Sequence, residues 1–325
     1  MTKKPLSRTL CLLTFILLCG APLTGICAEQ SAAPAPSAEE AALRAAAEQG
    51  DARAQFDLAV ALIRPIPPHA GPIKEGAEAA ELLEKSANQG NMDAAFLLGH
   101  ICQYGTGVPK DVGKSVIWLT KAADSGHVPA MVTLATVYKT ADGVMRNKVK
   151  ARDYYAKAAE KGSNNARAAL GAMYMNGDGV AKDGRVALGW LKSAATGGHA
   201  PSMLMLGRLY AKKDLGLQNG PKAVYWTHQA VAHGHAPAIY ALGLLYRDGV
   251  GAMDPDAYKA YLWLKLTYTL AEHASGGDGK TKKEKPYWLE NATRALTPEQ
   301  RKKADAELDV WLKKGPPAPP AKEPQ

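Results

Sequence analysis

The sequence predicts an all-α protein, a right-handed α-solenoid built from helix-turn-helix repeats and closed by a C-terminal helical cap. Three observations predict it. A glycine returns every 36 residues at Gly90, Gly126, Gly162, Gly198 and Gly234, with Gly50 one longer step upstream. A Leu-Gly or Leu-Ala pair and then an aromatic recur in the same phase, and a second aromatic, mostly tryptophan, recurs half a unit later. A fixed spacing of this size marks a stack of like units, each unable to bury its apolar face alone.

The anchor glycines end stretches such as Lys121-Ala122-Ala123-Asp124-Ser125-Gly126. They are expected as helix C-caps, where positive φ is needed and costs glycine little. The first helix of each unit carries Leu98-Gly99, Leu134-Ala135, Leu170-Gly171, Leu206-Gly207 or Leu242-Gly243, followed by Tyr138, Tyr174, Tyr210 and Tyr246, with Cys102 as the exception. Leucine and aromatic stand four apart and share one helix face. Glycine inside a helix costs roughly 1 kcal/mol against alanine, so its recurrence here predicts close approach of a neighbouring helix.

Paired turn glycines follow, as in Gly105-Thr106-Gly107 and Gly177-Asp178-Gly179. Asp111, Asn147, Asp183 and Asn219 then stand where a side-chain oxygen can cap a second helix. That helix carries Trp118, Tyr154, Trp190, Trp226 and Trp263, all expected in the core, and the last is one residue out of step. Two irregularities stand out. The run Arg64 to His69 lengthens the first unit, and the fifth unit lacks the paired glycines near Ala211 to Gly216, so its turn is expected to be distorted.

The pattern A-x-x-x-L-G-x-x-Y, G-x-G-V-x-x-D, aromatic-x-x-x-A-A-x-x-G resembles the Sel1-like repeat, a relative of the tetratricopeptide repeat, from Ala41 to about Leu270. The resemblance implies a stack of about six units over 41–270 and a terminal cap over 271–314. Within the cap, Thr297-Pro298-Glu299-Gln300 reads as a capping box. Residues 315–325 hold five prolines and are expected to be disordered or extended.

Residues 1–28 read as a secretory signal peptide: Lys3, Lys4 and Arg8 precede an apolar run too short to span a bilayer, with cleavage expected after Ala28. Processing as a lipoprotein at Cys27 is the alternative, disfavoured by the bulk of Ile26. A flexible Ala/Pro spacer over 29–40 follows. The mature chain, periplasmic or secreted, would keep Cys102 as its one cysteine and carry 37 basic against 31 acidic residues. That excess falls short of the dense basic face that nucleic-acid binding needs, and no integral membrane segment is predicted.

No catalytic, cofactor-binding or metal-binding residues are predicted. His127, His199 and His235 each follow an anchor glycine, but packed helix axes lie about 8–10 Å apart, so histidines one unit apart do not converge within the roughly 2.1 Å of a zinc ion. They are expected to cover helix ends. Cysteine-rich members of the resembled family have been linked to β-lactam binding, yet they carry a cysteine pair in every repeat.

The positions that vary between units point to recognition. On the first helix these are Ala95, Met131, Arg167, Met203 and Ile239, and then Leu97, Thr133, Ala169, Met205 and Ala241. Met131, Met203, Met205 and Ile239, flanked by Arg167 and Arg208, are the candidate partner-binding set, a partly apolar groove on the concave side that would grip a protein or peptide. The competing expectation is that these residues pack between neighbouring units. The function expected is a non-enzymatic interaction scaffold of the bacterial cell envelope. The alternatives are a factor associated with peptidoglycan or envelope polysaccharide that organises envelope enzymes, and a secreted host-interaction factor.

Overall fold

The computed structural model of the chain describes residues 38–140, 145–274 and 285–325. The signal-peptide reading, nearly all of the spacer and most of the lysine-rich loop at 276–285 lie outside the described residues. The chain divides into two units, Met1–Ala42 and Leu43–Gln325, and the described part of the first is the opening of α1 (Ala38–Glu48).

Within the second unit, helices follow in pairs. They are α2 (Ala52–Ile63) with α3 (Lys74–Asn88), α4 (Met92–Tyr104) with α5 (Val112–Asp124), α6 (Val128–Thr140) with α7 (Lys148–Glu160), α8 (Asn164–Asn176) with α9 (Gly184–Thr196), α10 (Ala200–Ala211) with α11 (Gly220–Ala232), and α12 (Pro237–Asp248) with α13 (Ala257–Ala274). Each first helix packs on its partner, and each second helix packs also on the first helix of the next pair, as the repeat predicts. A short helix, α14 (Tyr287–Arg294), and a longer one, α15 (Pro298–Lys314), lie against α13.

The local chemistry follows the sequence closely. All six anchor glycines take positive φ, between 77° and 95°. The caps of the second helices form as expected: Asp111 accepts from the Lys114 amide at 2.9 Å, Asn147 from Lys150 at 2.9 Å and Asn219 from Lys222 at 2.9 Å. The same capping residue donates its own amide backward. Asn147 N–H bonds the Tyr138 carbonyl at 2.9 Å, Asp183 that of Tyr174 at 2.9 Å and Asn219 that of Tyr210 at 2.8 Å. This contact fixes where each first helix stops relative to the start of the second.

The fifth unit differs as its sequence foretold. Helices α4 and α8 end on left-handed Gly105 and Gly177, whereas α10 ends on Lys212 in an extended conformation. The longer loop of the first unit does something the periodicity did not signal. Gly71–Pro72 (β1) pairs in parallel with Thr106–Gly107 (β2), so the extra residues reach the next unit's turn and satisfy its backbone.

Apolar burial runs from α2 to the cap. Leu83, Leu119, Leu134, Leu170, Leu191, Leu206 and Leu242 are fully buried, at least one from each of the six helix pairs. At the far end Leu289, Leu296, Ala304 and Leu308 close over Leu242 and Trp263. Thr297 forms the capping box: its hydroxyl accepts the Gln300 amide at 3.2 Å and the Gln300 side chain accepts the Thr297 amide at 2.9 Å. Thr297→Ala is expected to destabilise the protein by about 1 kcal/mol, read as a lower urea midpoint of the far-ultraviolet signal.

Candidate functional site

The two variable series on the first helices separate cleanly. Ala95, Met131, Met203 and Ile239 are buried at 2, 4, 4 and 9 % exposure, inside the successive core clusters of the stack. Met131, Met203 and Ile239 therefore do not line a groove, and the expectation that they pack between units is the one that holds for them. Their phase on the helix points them at the neighbouring unit. Arg167, the polar member of that series, is half-buried and donates to Asn164 Oδ1 at 3.0 Å. The second series, Leu97, Thr133, Ala169, Met205 and Ala241, is half-buried throughout, and Arg208 is exposed one turn from Met205. Of the six candidate residues, Met205 and Arg208 share an accessible helix face.

The histidines after the anchor glycines tie units together. His127 Nδ1 accepts the Ala130 amide at 3.1 Å and its Nε2 stands 3.1 Å from Asp93 Oδ1 of the preceding unit. His199 repeats the bridge with Ser202 at 2.8 Å and Asn165 at 2.9 Å. Each ring covers a helix start and spans to the unit before it. No group of three or more metal-ligating side chains occurs among the described residues. Cys102 is buried and burial pushes its thiol up, away from nucleophilic chemistry.

A second face carries chemistry that the sequence reading placed in the core. Trp263 and Trp226 are buried, but Trp118, Tyr154 and Trp190 are half-buried, as are Tyr138 and Tyr174. Lysines sit over these rings: Lys150 at 5.2 Å from the Tyr138 centroid, Lys222 at 5.8 Å from Tyr210 and Lys259 at 5.2 Å from Tyr246. The second helix thus lays a cation over the aromatic that ends the first.

On this face the proline-rich tail is engaged with the repeats. The Glu323 carboxylate accepts the Trp226 indole N–H at 3.0 Å on Oε1 and the Lys192 ammonium at 3.1 Å on Oε2. The Tyr210 hydroxyl stands 3.5 Å from Oε1. Burial pushes the Glu323 carboxyl up, but the Trp226 and Lys192 bonds and the charges of Lys192 and Lys222 outweigh it and hold the group below its usual range. Nothing in the tail's composition signalled this contact, since prolines remove backbone donors and leave side-chain anchoring as the means of docking.

The comparisons with known proteins fall in line with this geometry. The model of the Sel1 repeat matches six times, over residues 52–91, 93–127, 128–163, 165–199, 200–235 and 236–270. The chain belongs to the Sel1 repeat family. Among solved structures, this Sel1 repeat protein is similar to a protective antigen of uropathogenic Escherichia coli strains displaying an SLR fold, at 27% identity and a TM-score of 0.65 over 85% of this chain. It spans 56% of that antigen's length. It is also similar to a Sel1 repeat protein from Oxalobacter formigenes, at 26% identity and a TM-score of 0.57, with 76% of this chain and 93% of that one covered. No match was found among curated proteins. Sel1 repeat proteins generally mediate protein–protein interaction, and their fold is typically a non-catalytic scaffold. No helix of the described residues is long and apolar enough to cross a membrane.

Proposed function

We propose that this Sel1 repeat protein is a non-enzymatic docking protein of the bacterial cell envelope, exported by its N-terminal signal and binding a partner protein through the accessible face of its first helices. One observation carries the reading. Leu97, Thr133, Ala169, Met205 and Ala241 occupy one helical phase in successive units, all half-buried, and change character from unit to unit while the buried leucines beneath them do not. A surface of varied, partly apolar side chains on a rigid stack suits recognition by a few anchors flanked by charge, here Arg208.

A photo-crosslinking amino acid placed at Met205 or Ala169 in cells is expected to trap a discrete protein adduct. The same group at Ile117, 65 % exposed on a second helix, is expected to trap none. Equal labelling from both faces, or none from Met205, would remove the reading. Export is checked separately: the protein recovered from an envelope fraction should begin at Glu29.

A further inference from the structure

Aligned unit by unit, the position of Lys192 is filled by Glu84, Thr120, Ala156, His228 and, in the last pair, Lys265, which is bonded to Asp305 of α15, and that of Lys222 by Glu78, Lys114, Lys150, Val186 and Lys259. Where Lys192 meets Tyr210, Lys222 and Trp226, the stack places two ammonium groups beside one indole donor and one phenol. The carboxylate of Glu323 is seated at that place. The next unit along is closed differently, because Trp263 is covered by Trp311 of α15 with ring centroids 5.0 Å apart.

We propose that the Lys192–Tyr210–Trp226 pocket is a carboxylate-anchored docking site for an extended, proline-flanked acidic segment, held in cis by Glu323 and opened to a partner protein's own Glu-Pro segment when that segment displaces the tail. This rests on the protein-docking reading above and names the ligand for a second face of the same stack.

The chemistry of the site is selective for such a ligand. Both carboxylate oxygens are used, one by a cation and one by a neutral indole N–H, so an amide in place of the carboxylate loses the charge-assisted bond to Lys192 and gains nothing. The Trp226 ring packs into the core of its unit with Leu206, Ala223 and Ala230, which lowers the ordering cost of presenting its N–H. The prolines at 316, 317, 319, 320 and 324 bias the segment toward an extended form before it docks, as in other polyproline recognition. Only eight residues lie between Lys314, the end of α15, and Glu323, so the tail acts at the millimolar-scale effective concentration of a short tether. A free segment therefore competes with a local ligand, which makes the tail an occupancy gate on this face.

The test uses the full chain and a fluorescein-labelled peptide of the tail sequence Gly-Pro-Pro-Ala-Pro-Pro-Ala-Lys-Glu-Pro-Gln. The Glu323→Gln variant, whose own tail no longer competes, is expected to bind the peptide at least tenfold more tightly than the unaltered chain in an anisotropy titration. Adding Trp226→Phe or Lys192→Ala to Glu323→Gln is expected to weaken that binding at least fivefold, while a peptide with Gln in place of its Glu binds neither chain. The Lys192 side chain is 40 % exposed, so Lys192→Ala keeps the fold and serves as the check if Trp226→Phe disturbs packing. Equal affinity of Glu323→Gln and unaltered chain for the peptide, or equal binding of the Glu and Gln peptides, overturns the proposal. If the peptide fails while the Met205 adduct forms, the gate falls and the docking reading stands. If the peptide binds as expected and no adduct forms, the carboxylate site stands and the first-helix reading falls.

Discussion

Replacing Gly207 by valine is expected to destabilise the protein by about 3 kcal/mol, at the upper end of what overpacking a close helix contact costs. Gly207 lies in mid-helix on α10 and faces α11. A Cβ there would overlap the Thr227 hydroxyl and come within 3.0 Å of the Ala223 carbonyl. The hydroxyl cannot retreat freely, because Thr227 donates to that same carbonyl at 2.7 Å and is itself buried. Valine must therefore push the two helices apart and break the packing of Leu206 and Ala223, both fully buried. The reverse change tests the same contact. Ala135 fills the equivalent place in α6, where the neighbouring helix tolerates a methyl group, so Ala135→Gly should cost only about 1 kcal/mol in helix propensity. Urea titrations followed by tryptophan fluorescence distinguish the two. A Gly207→Val protein with an unaltered midpoint would show that the helices are not held as close as the geometry requires.

Gly207 also shows why so much of the fold was legible. Its recurrence with Gly99, Gly171 and Gly243 follows from a contact made in four of the six units: an ideal Cβ on Gly171 would stand 2.6 Å from Leu191 Cγ, and one on Gly243 2.6 Å from Leu264 Cγ. A constraint repeated at a fixed interval writes itself into the sequence several times. The caps at Asp111, Asn147 and Asn219 and the anchor glycines are legible for the same reason. What occurs once leaves no such trace. The parallel pairing of Gly71–Pro72 with Thr106–Gly107 depends on one insertion, and the seat of Glu323 depends on Lys192 meeting Trp226 of the next unit, a combination the repeat makes at one junction.

The candidate partner-binding set failed in part for a related reason. Met131 and Met203 vary between units, as surface residues do, but each packs against a neighbouring unit whose shape also varies, so variation alone did not separate core from surface. Met205, two residues from Met203, points elsewhere around the helix and remains half-buried. The helical phase carries the distinction, because two residues on the same helix turn through roughly 200°. The tryptophans mislead in the opposite sense. A strict phase suggested uniform burial, yet Trp118 and Trp190 keep part of their rings accessible while Trp263 lies beneath Trp311 of the cap. One aromatic stripe is thus closed over by the cap at its end and part-accessible at Trp118 and Trp190.

Mild acid is expected to cost the last units up to about 3 kcal/mol through a single group, His228. Burial pushes this imidazole from 6.5 to about 4, and its ring lies edge-on to Trp263 with centroids 4.9 Å apart, so the folded state holds it neutral. Unfolding exposes it to water, where it takes a proton near its ordinary value. Between pH 6.5 and about 4 the unfolded chain therefore binds one more proton than the folded one at this site, and stability falls as the pH falls across that window. Above it the contribution is fully present. Carboxylates held below their usual range, such as Asp178 by its bond from Lys148, begin to lose their contribution near and below their ordinary value of about 4, at the acid edge of the window. His199, pushed down by burial and by the nearby charge of His235, adds in the same direction. His228→Phe keeps an edge-on ring against Trp263 and removes the proton site. Urea midpoints at pH 7 and pH 4.5 should converge for that variant relative to the unaltered chain, and an equal loss of stability in both would place the acid sensitivity outside His228.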